Sequence, residues 1–294
     1  MGTVSLVIVK RRALAVMFAV VGVLGVDTGT GPANAAEQPP PTEVTTEADA
    51  TERARRVQAP ERQVPEARRA VIISDSAMAG VRWNGALGGF RGFEADDRLQ
   101  SCRRIVVRSC NGREGFRPRT ALNEVRSLAP AAPLDVLVIA VGYNDWHVGF
   151  GGQARSVLDA ARAKGFQYVA WVTYRERVGY TLPSDLSVSR SSYASMNREL
   201  RNIEASVDYP ELRLWDLDGY TRGVSGWFAS DGVHETRRGS WGVADWVSRH
   251  MAAIDGRPCP MPWTPSEPIE AICQNPDPLA FERGWPDLAG LYGV

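Results

Sequence analysis

The sequence predicts a three-layer α/β/α fold built on a mainly parallel sheet. Three observations carry this expectation. Strand-length apolar runs recur along the chain, helical patterns fall between them, and small polar residues follow the runs directly. Continuous apolar strands are those buried on both faces. Strands that alternate with helices feed a parallel sheet covered on both sides.

The chain opens on segments that lie outside this pattern. Residues 1–35 read as an export signal: Lys10, Arg11 and Arg12 form a charged start, and Ala13 to Val26 is apolar but short for a membrane span. Ala33-Asn34-Ala35 offers the small residues a signal peptidase reads, which puts cleavage before Ala36. An uncleaved anchor is the alternative; a cleaved chain has no membrane contact. Residues 36–69 lack any aromatic residue and are rich in Pro, Glu, Thr, Ala and Arg. Such a stretch buries too little apolar surface to offset its ordering entropy and reads as a disordered linker.

The domain expected over residues 70–255 begins with Ala70 to Ile73, a short buried strand. Phe93 to Leu99 is a second candidate strand. Asp135 to Val141 is the strongest, being continuous and bounded by Pro133 and Gly142; Tyr168 to Thr173 and Leu212 to Leu217 follow. Helical patterns cover Thr120 to Leu128, Gly152 to Lys164 (closed by Gly165), Tyr193 to Val207 and Glu235 to Ile254. Residues 256–294 are Pro-rich and aperiodic, and read as a disulfide-stapled extension. Four cysteines fit an oxidising compartment. Local pairing, Cys102 with Cys110 and Cys259 with Cys273, closes two short loops. No C-x-x-C occurs, and only His147, His234 and His250 could assist a metal site. Formal net charge is zero, which argues against a nucleic-acid partner.

Three segments carry the chemistry. Ser76 follows the first strand, where ligands collect at the carboxyl ends of a parallel sheet and where a helix N-terminus favours negative charge. A bland helix cap is the competing reading. Asn144 follows the third candidate strand in Gly142-Tyr143-Asn144-Asp145. Its amide could donate to an oxyanion, or the segment could be a plain turn. Asp231 and His234 lie three apart around Gly232, so one tight loop can bring carboxylate to imidazole. His250, late in a helical pattern, reads as surface or as a charge complement to the helix end. Trp83, Tyr143, Trp146 and Trp227 could line an acyl or glycan pocket, or pack on the sheet.

In the order Ser, Gly-x-Asn-Asp, Asp-x-x-His the chain resembles the SGNH/GDSL hydrolases, over residues 70 to 254. Its Ser101-Cys102-Arg103-Arg104 and Ser109-Cys110 segments are similar to those of secreted actinobacterial-type members. The resemblance implies a flavodoxin-like fold and an esterase without a cofactor. It assigns Ser76 as nucleophile, His234 as base, Asp231 as its orienting partner, and Ser76, Gly115 and Asn144 as the oxyanion hole. Gly112 is the other candidate for the glycine. Ser74 stands where the family usually has glycine. The implied substrate is a small-molecule or glycan ester. An O-acyltransferase acting on cell-envelope carbohydrate would use the same residues. A non-catalytic carbohydrate-binding module would not need them all.

Overall fold

The structure is a computed structural model, which describes residues 68–176 and 190–260 together with Cys273 and Phe281. The expected export signal and most of the linker and extension lie outside these residues. Chain contacts divide the molecule between Glu61 and Arg62. All described residues belong to the second unit.

Five parallel strands form one sheet in the order β2-β1-β3-β4-β5: β1 (Arg69–Ser74), β2 (Glu94–Leu99), β3 (Val136–Ala140), β4 (Tyr168–Val172) and β5 (Leu212–Trp215). This is the flavodoxin-like order, with its switch point between β1 and β3. The two strands run in register, Ile73 beside Ile139 and Ser74 beside Ala140. Both are buried along almost their whole length, which is why Ala70–Ile73 and Val136–Ala140 are unbroken apolar runs. The strand β2 reads EADDRL because it is an edge, where charge blocks further pairing.

Alternate strand residues feed two cores. Val71, Ile73, Leu137, Ile139 and Trp171 pack on α2 (Ala121–Ser127), α3 (Phe150–Ala163) and α4 (Arg190–Glu204). Ile72, Val136, Val138 and Val172 pack on α1 (Ser76–Trp83) and α6 (Arg237–Ile254). Each fully buried Ile or Leu contributes roughly 1.5–3 kcal/mol of transfer free energy. The α/β/α layering expected from the sequence is present.

Several details differ from expectation. The run Leu212 to Leu217 leaves the strand at Trp215, because Asp216 accepts the Gly219 N–H at 3.0 Å and caps a one-turn helix, α5 (Leu217–Tyr220). The helix expected from Glu235 starts at Arg237, behind the cap Thr236. His250 is neither a surface residue nor a charge complement. It stacks on Trp215 at 4.5 Å and meets the edge of Trp246 at 4.7 Å, and burial pushes its pKa down to about 4. It is a half-buried neutral ring packed against Trp215 and Trp246.

Candidate active site

Ser76 is the first residue of α1, two residues past Ser74, the last residue of β1. Asp75 is the helix cap, and its Oδ1 accepts the Ala77 N–H at 2.9 Å. Its Oδ2 accepts from both Gly142 and Tyr143 at 2.9 Å, at the end of β3. One buried carboxylate therefore pins the helix that starts at Ser76 to the turn that carries Asn144. Burial raises the Asp75 pKa, and the three N–H groups act against it. Ser74 occupies a regular strand position, so no positive φ is demanded there. At Gly142 the demand is real: a Cβ would collide with the Tyr174 hydroxyl, and φ is +149°.

The last segment is a self-bonded loop. Asp231 Oδ1 accepts the N–H groups of Val233 (2.8 Å) and His234 (3.0 Å), and Gly232, between Asp231 and Val233, takes φ of +74°. Oδ2 lies 2.7 Å from His234 Nδ1, and His234 Nε2 lies 3.1 Å from Ser76 Oγ. A proton on Nδ1, facing the carboxylate, leaves the Nε2 lone pair toward the serine hydroxyl. Burial acts to raise the Asp231 pKa, but the His234 ring and the two N–H groups outweigh it and hold it below the ordinary carboxylate value. The His234 ring is thus paired with an ionised carboxylate. Arg175, at the end of β4, braces this loop by donating to the Gly232 carbonyl and, at 3.1 Å, to Thr221 Oγ1, while lying 3.7 Å over the Phe228 ring. Nothing in the sequence around Arg175 signals that part.

Ser76, Asn144 and His234 open on one cavity of about 500 Å³, shared with Trp83, Cys102 and Arg113. Its remaining wall includes Asn84, Asn111 and Glu235. Asn144 Nδ2 donates to the Arg103 carbonyl at 3.3 Å, which leaves the other amide hydrogen for a ligand. Arg113 stacks on Trp83 at 4.7 Å. Of the four aromatics proposed for the pocket, only Trp83 lines it. Tyr143 is buried with its hydroxyl accepting the Arg175 N–H at 2.6 Å, Trp227 is wholly buried, and Trp146 is exposed elsewhere. His147 meets the Ser192 hydroxyl at 3.1 Å and does not line the cavity.

Gly115 requires a correction. It is exposed, it is not part of the cavity wall, and its N–H is spent on the Gly112 carbonyl at 3.1 Å. The Gly112 N–H is spent too, on Phe116 O at 2.8 Å. Both glycines serve a turn, and the N–H of each is engaged there rather than open to the cavity. Asp145 points away from the cavity: its Oδ2 accepts the Ile105 N–H at 3.0 Å, and burial pushes its pKa up to about 7. Glu235, next to His234, is pushed up to about 8 by burial, against the Ser240 hydroxyl that donates to it at 3.0 Å.

No family model and no curated protein matches the chain. Among solved structures, it is similar to the carbohydrate acetylesterase Est24 from Sinorhizobium meliloti, with 14% identity over 61% of this chain and 98% of that one, at a TM-score of 0.45. A protein assigned as an arylesterase from Agrobacterium tumefaciens shows 14% identity over 60% and 94%, at 0.42. One assigned as an SGNH hydrolase from Slackia heliotrinireducens shows 19% over 60% and 94%, at 0.40. At such scores no assignment of chemistry follows from these likenesses.

Proposed function

We propose that the protein is an exported serine esterase of the SGNH/GDSL kind, hydrolysing carboxylic esters through Ser76, His234 and Asp231. The observation that carries this reading is the unbroken relay of Ser76 Oγ, the His234 ring and the Asp231 carboxylate, at 3.1 and 2.7 Å. It opens on a cavity that also holds the Asn144 amide. Ser76 attacks the ester carbonyl as its proton passes to His234 Nε2. Asp231 stabilises the imidazolium. The intermediate's oxygen takes hydrogen bonds from the Asn144 amide and the Ser76 N–H, which has no acceptor within the first helical turn. His234 then protonates the departing alcohol, and water releases the acyl group by the reverse sequence. No step calls for a cofactor.

The cavity wall argues for the substrate class. Asn84, Asn111, Ser101 and Arg113 are polar, and Trp83 is the one aromatic. Such a wall suits a short acyl group on a polar alcohol such as a sugar, not a long apolar chain. Two disulfides, Cys102–Cys110 and Cys259–Cys273, fit an extracellular setting, and among the described residues no helix is long and apolar enough to cross a membrane. The proposal extends to segments: a cleaved signal over 1–35, a tether over 36–69, the hydrolase domain over 70–255, and a stapled extension over 256–294.

p-Nitrophenyl acetate, butyrate and octanoate, offered to wild type and to Ser76→Ala, test the reading. Turnover should fall with chain length and vanish in the variant. Wild-type turnover by Ser76→Ala would overturn it. A sugar acceptor in the same assay separates hydrolysis, which releases free acid, from acyl transfer.

A further inference from the structure

We infer that the second main-chain donor of the oxyanion hole is the N–H of Cys102, aimed into the cavity by the Cys102–Cys110 disulfide. This rests on the esterase reading above and deepens it. Cys102 has φ of +62° and is the one non-glycine residue, among those described, in the left-handed region. A side chain is disfavoured there, so a cysteine holds it only where its surroundings impose it. It lies three residues past β2, at the carboxyl end of the sheet, and lines the cavity with Ser76, Asn144 and His234.

Its N–H has no acceptor among the described residues. Nearby donors are committed elsewhere: Ser101 to Glu114 Oε1 at 3.1 Å, Arg104 to Ser109 Oγ at 3.2 Å, Ile105 to Asp145 Oδ2 at 3.0 Å. Arg103 is wholly buried and does not face the cavity. The Asn144 amide reaches the Arg103 carbonyl at 3.3 Å, so the side-chain donor and the Cys102 segment adjoin. A backbone N–H left open beside a nucleophile is what a developing oxyanion needs.

Two devices hold the conformation. The disulfide ties Cys102 to Cys110, and the Cys110 N–H donates back to the Cys102 carbonyl at 3.3 Å. Next in sequence, the buried Arg103 guanidinium donates to the carbonyls of Ser74 (3.0 Å), Arg119 (2.7 Å) and Arg98 (3.2 Å). Ser74 precedes the nucleophile by two residues, so the same clasp fixes donor loop and nucleophile strand together. Glycine takes a left-handed φ freely. Here the staple does for a cysteine what the missing side chain does for a glycine.

Two double variants test this, both without the staple: Cys102→Ala/Cys110→Ala and Cys102→Gly/Cys110→Ala. The alanine pair relaxes out of the left-handed region and should lose on the order of 10²-fold or more in kcat, with KM within about twofold. The glycine pair can still occupy that region and should recover kcat to within about tenfold of wild type. Inhibition by phenylboronic acid, whose serine adduct is tetrahedral, should weaken in step with kcat. Melting temperatures should be similar in the two, since both lack the same cross-link. Wild-type kcat in the alanine pair overturns the inference, and so does an equal loss in both pairs. If Ser76→Ala also keeps full activity, the esterase reading itself has failed. If Ser76→Ala is dead while the alanine pair is fully active, only the Cys102 role has failed.

Discussion

The Asp75 carboxylate accepts the Gly142 N–H at 2.9 Å across 67 residues of sequence. Through the same oxygen it takes Tyr143, and through the other Ala77. The helix that starts at Ser76 and the turn that carries Asn144 are thus set by one buried group. Asp75→Asn exchanges an acceptor oxygen for an NH₂ that opposes an N–H. The variant should lose on the order of 1–3 kcal/mol of stability and turn over more slowly. Calorimetry beside steady-state kinetics checks this; an unchanged melting temperature would remove Asp75 from the role.

His234→Ala should abolish nearly all turnover, because Ser76 then lacks its base. Asp231→Asn keeps a group of the same shape beside the ring but favours the wrong tautomer. A loss on the order of 10²–10⁴ in kcat is expected. The measurement is kcat on p-nitrophenyl acetate at neutral pH. Near-normal turnover by Asp231→Asn would leave the carboxylate a loop-former only, through its bonds to the Val233 and His234 N–H groups.

Asn144→Ala should lower kcat by on the order of 10²–10³, about 3–4 kcal/mol in the transition state, with KM little changed. Asp145→Ala should act differently. Its carboxylate is buried on Ile105 N–H, so the loss should appear in the melting temperature. A stable Asn144→Ala protein with normal kcat would eliminate the amide from the mechanism.

Burial raises the carboxyl pKa of Asp145 to about 7 and of Glu235 to about 8. Between the ordinary carboxylate range and those values the folded protein binds more protons than the unfolded chain. These groups therefore stabilise the fold least at high pH, where each must ionise in place, and their contribution declines as pH rises from about 4 to 8. Glu235→Gln removes that ionisation. Relative to wild type, its melting temperature should rise at pH 9 more than at pH 5. An equal difference at both pH values would show that Glu235 does not titrate in this window.

Much of this was legible before the fold was seen, for physical reasons. A strand buried on both faces, such as Val136–Ala140, has no choice but to be apolar, so its sequence announces it. The Asp231–His234 loop is local, three residues closing on themselves, and spacing alone suggested it. The bonds by which Asp75 holds the Asn144 turn, Arg103 the Ser74 carbonyl and Arg175 the Gly232 carbonyl gave no such sign, because they reach far along the chain. The family resemblance calls for a glycine in the loop before the Thr120 helix, and points to Gly115. A cross-linked cysteine can occupy the left-handed region instead, and only the folded chain reveals which residue does. His250 misled because helix position says nothing of which face meets Trp215 and Trp246.

Ser76 and His234 meet across 158 residues. A growing chain therefore carries Ser76 long before His234 exists, and under the proposed mechanism it stays inert until nearly the whole domain is synthesised. During refolding, parallel strands with distant partners close slowly, after local helices have formed. Recovered esterase turnover should then trail the helical circular-dichroism signal and keep time with the last docking of α6. On the proposed esterase reading, turnover would be a clock for the completion of the fold.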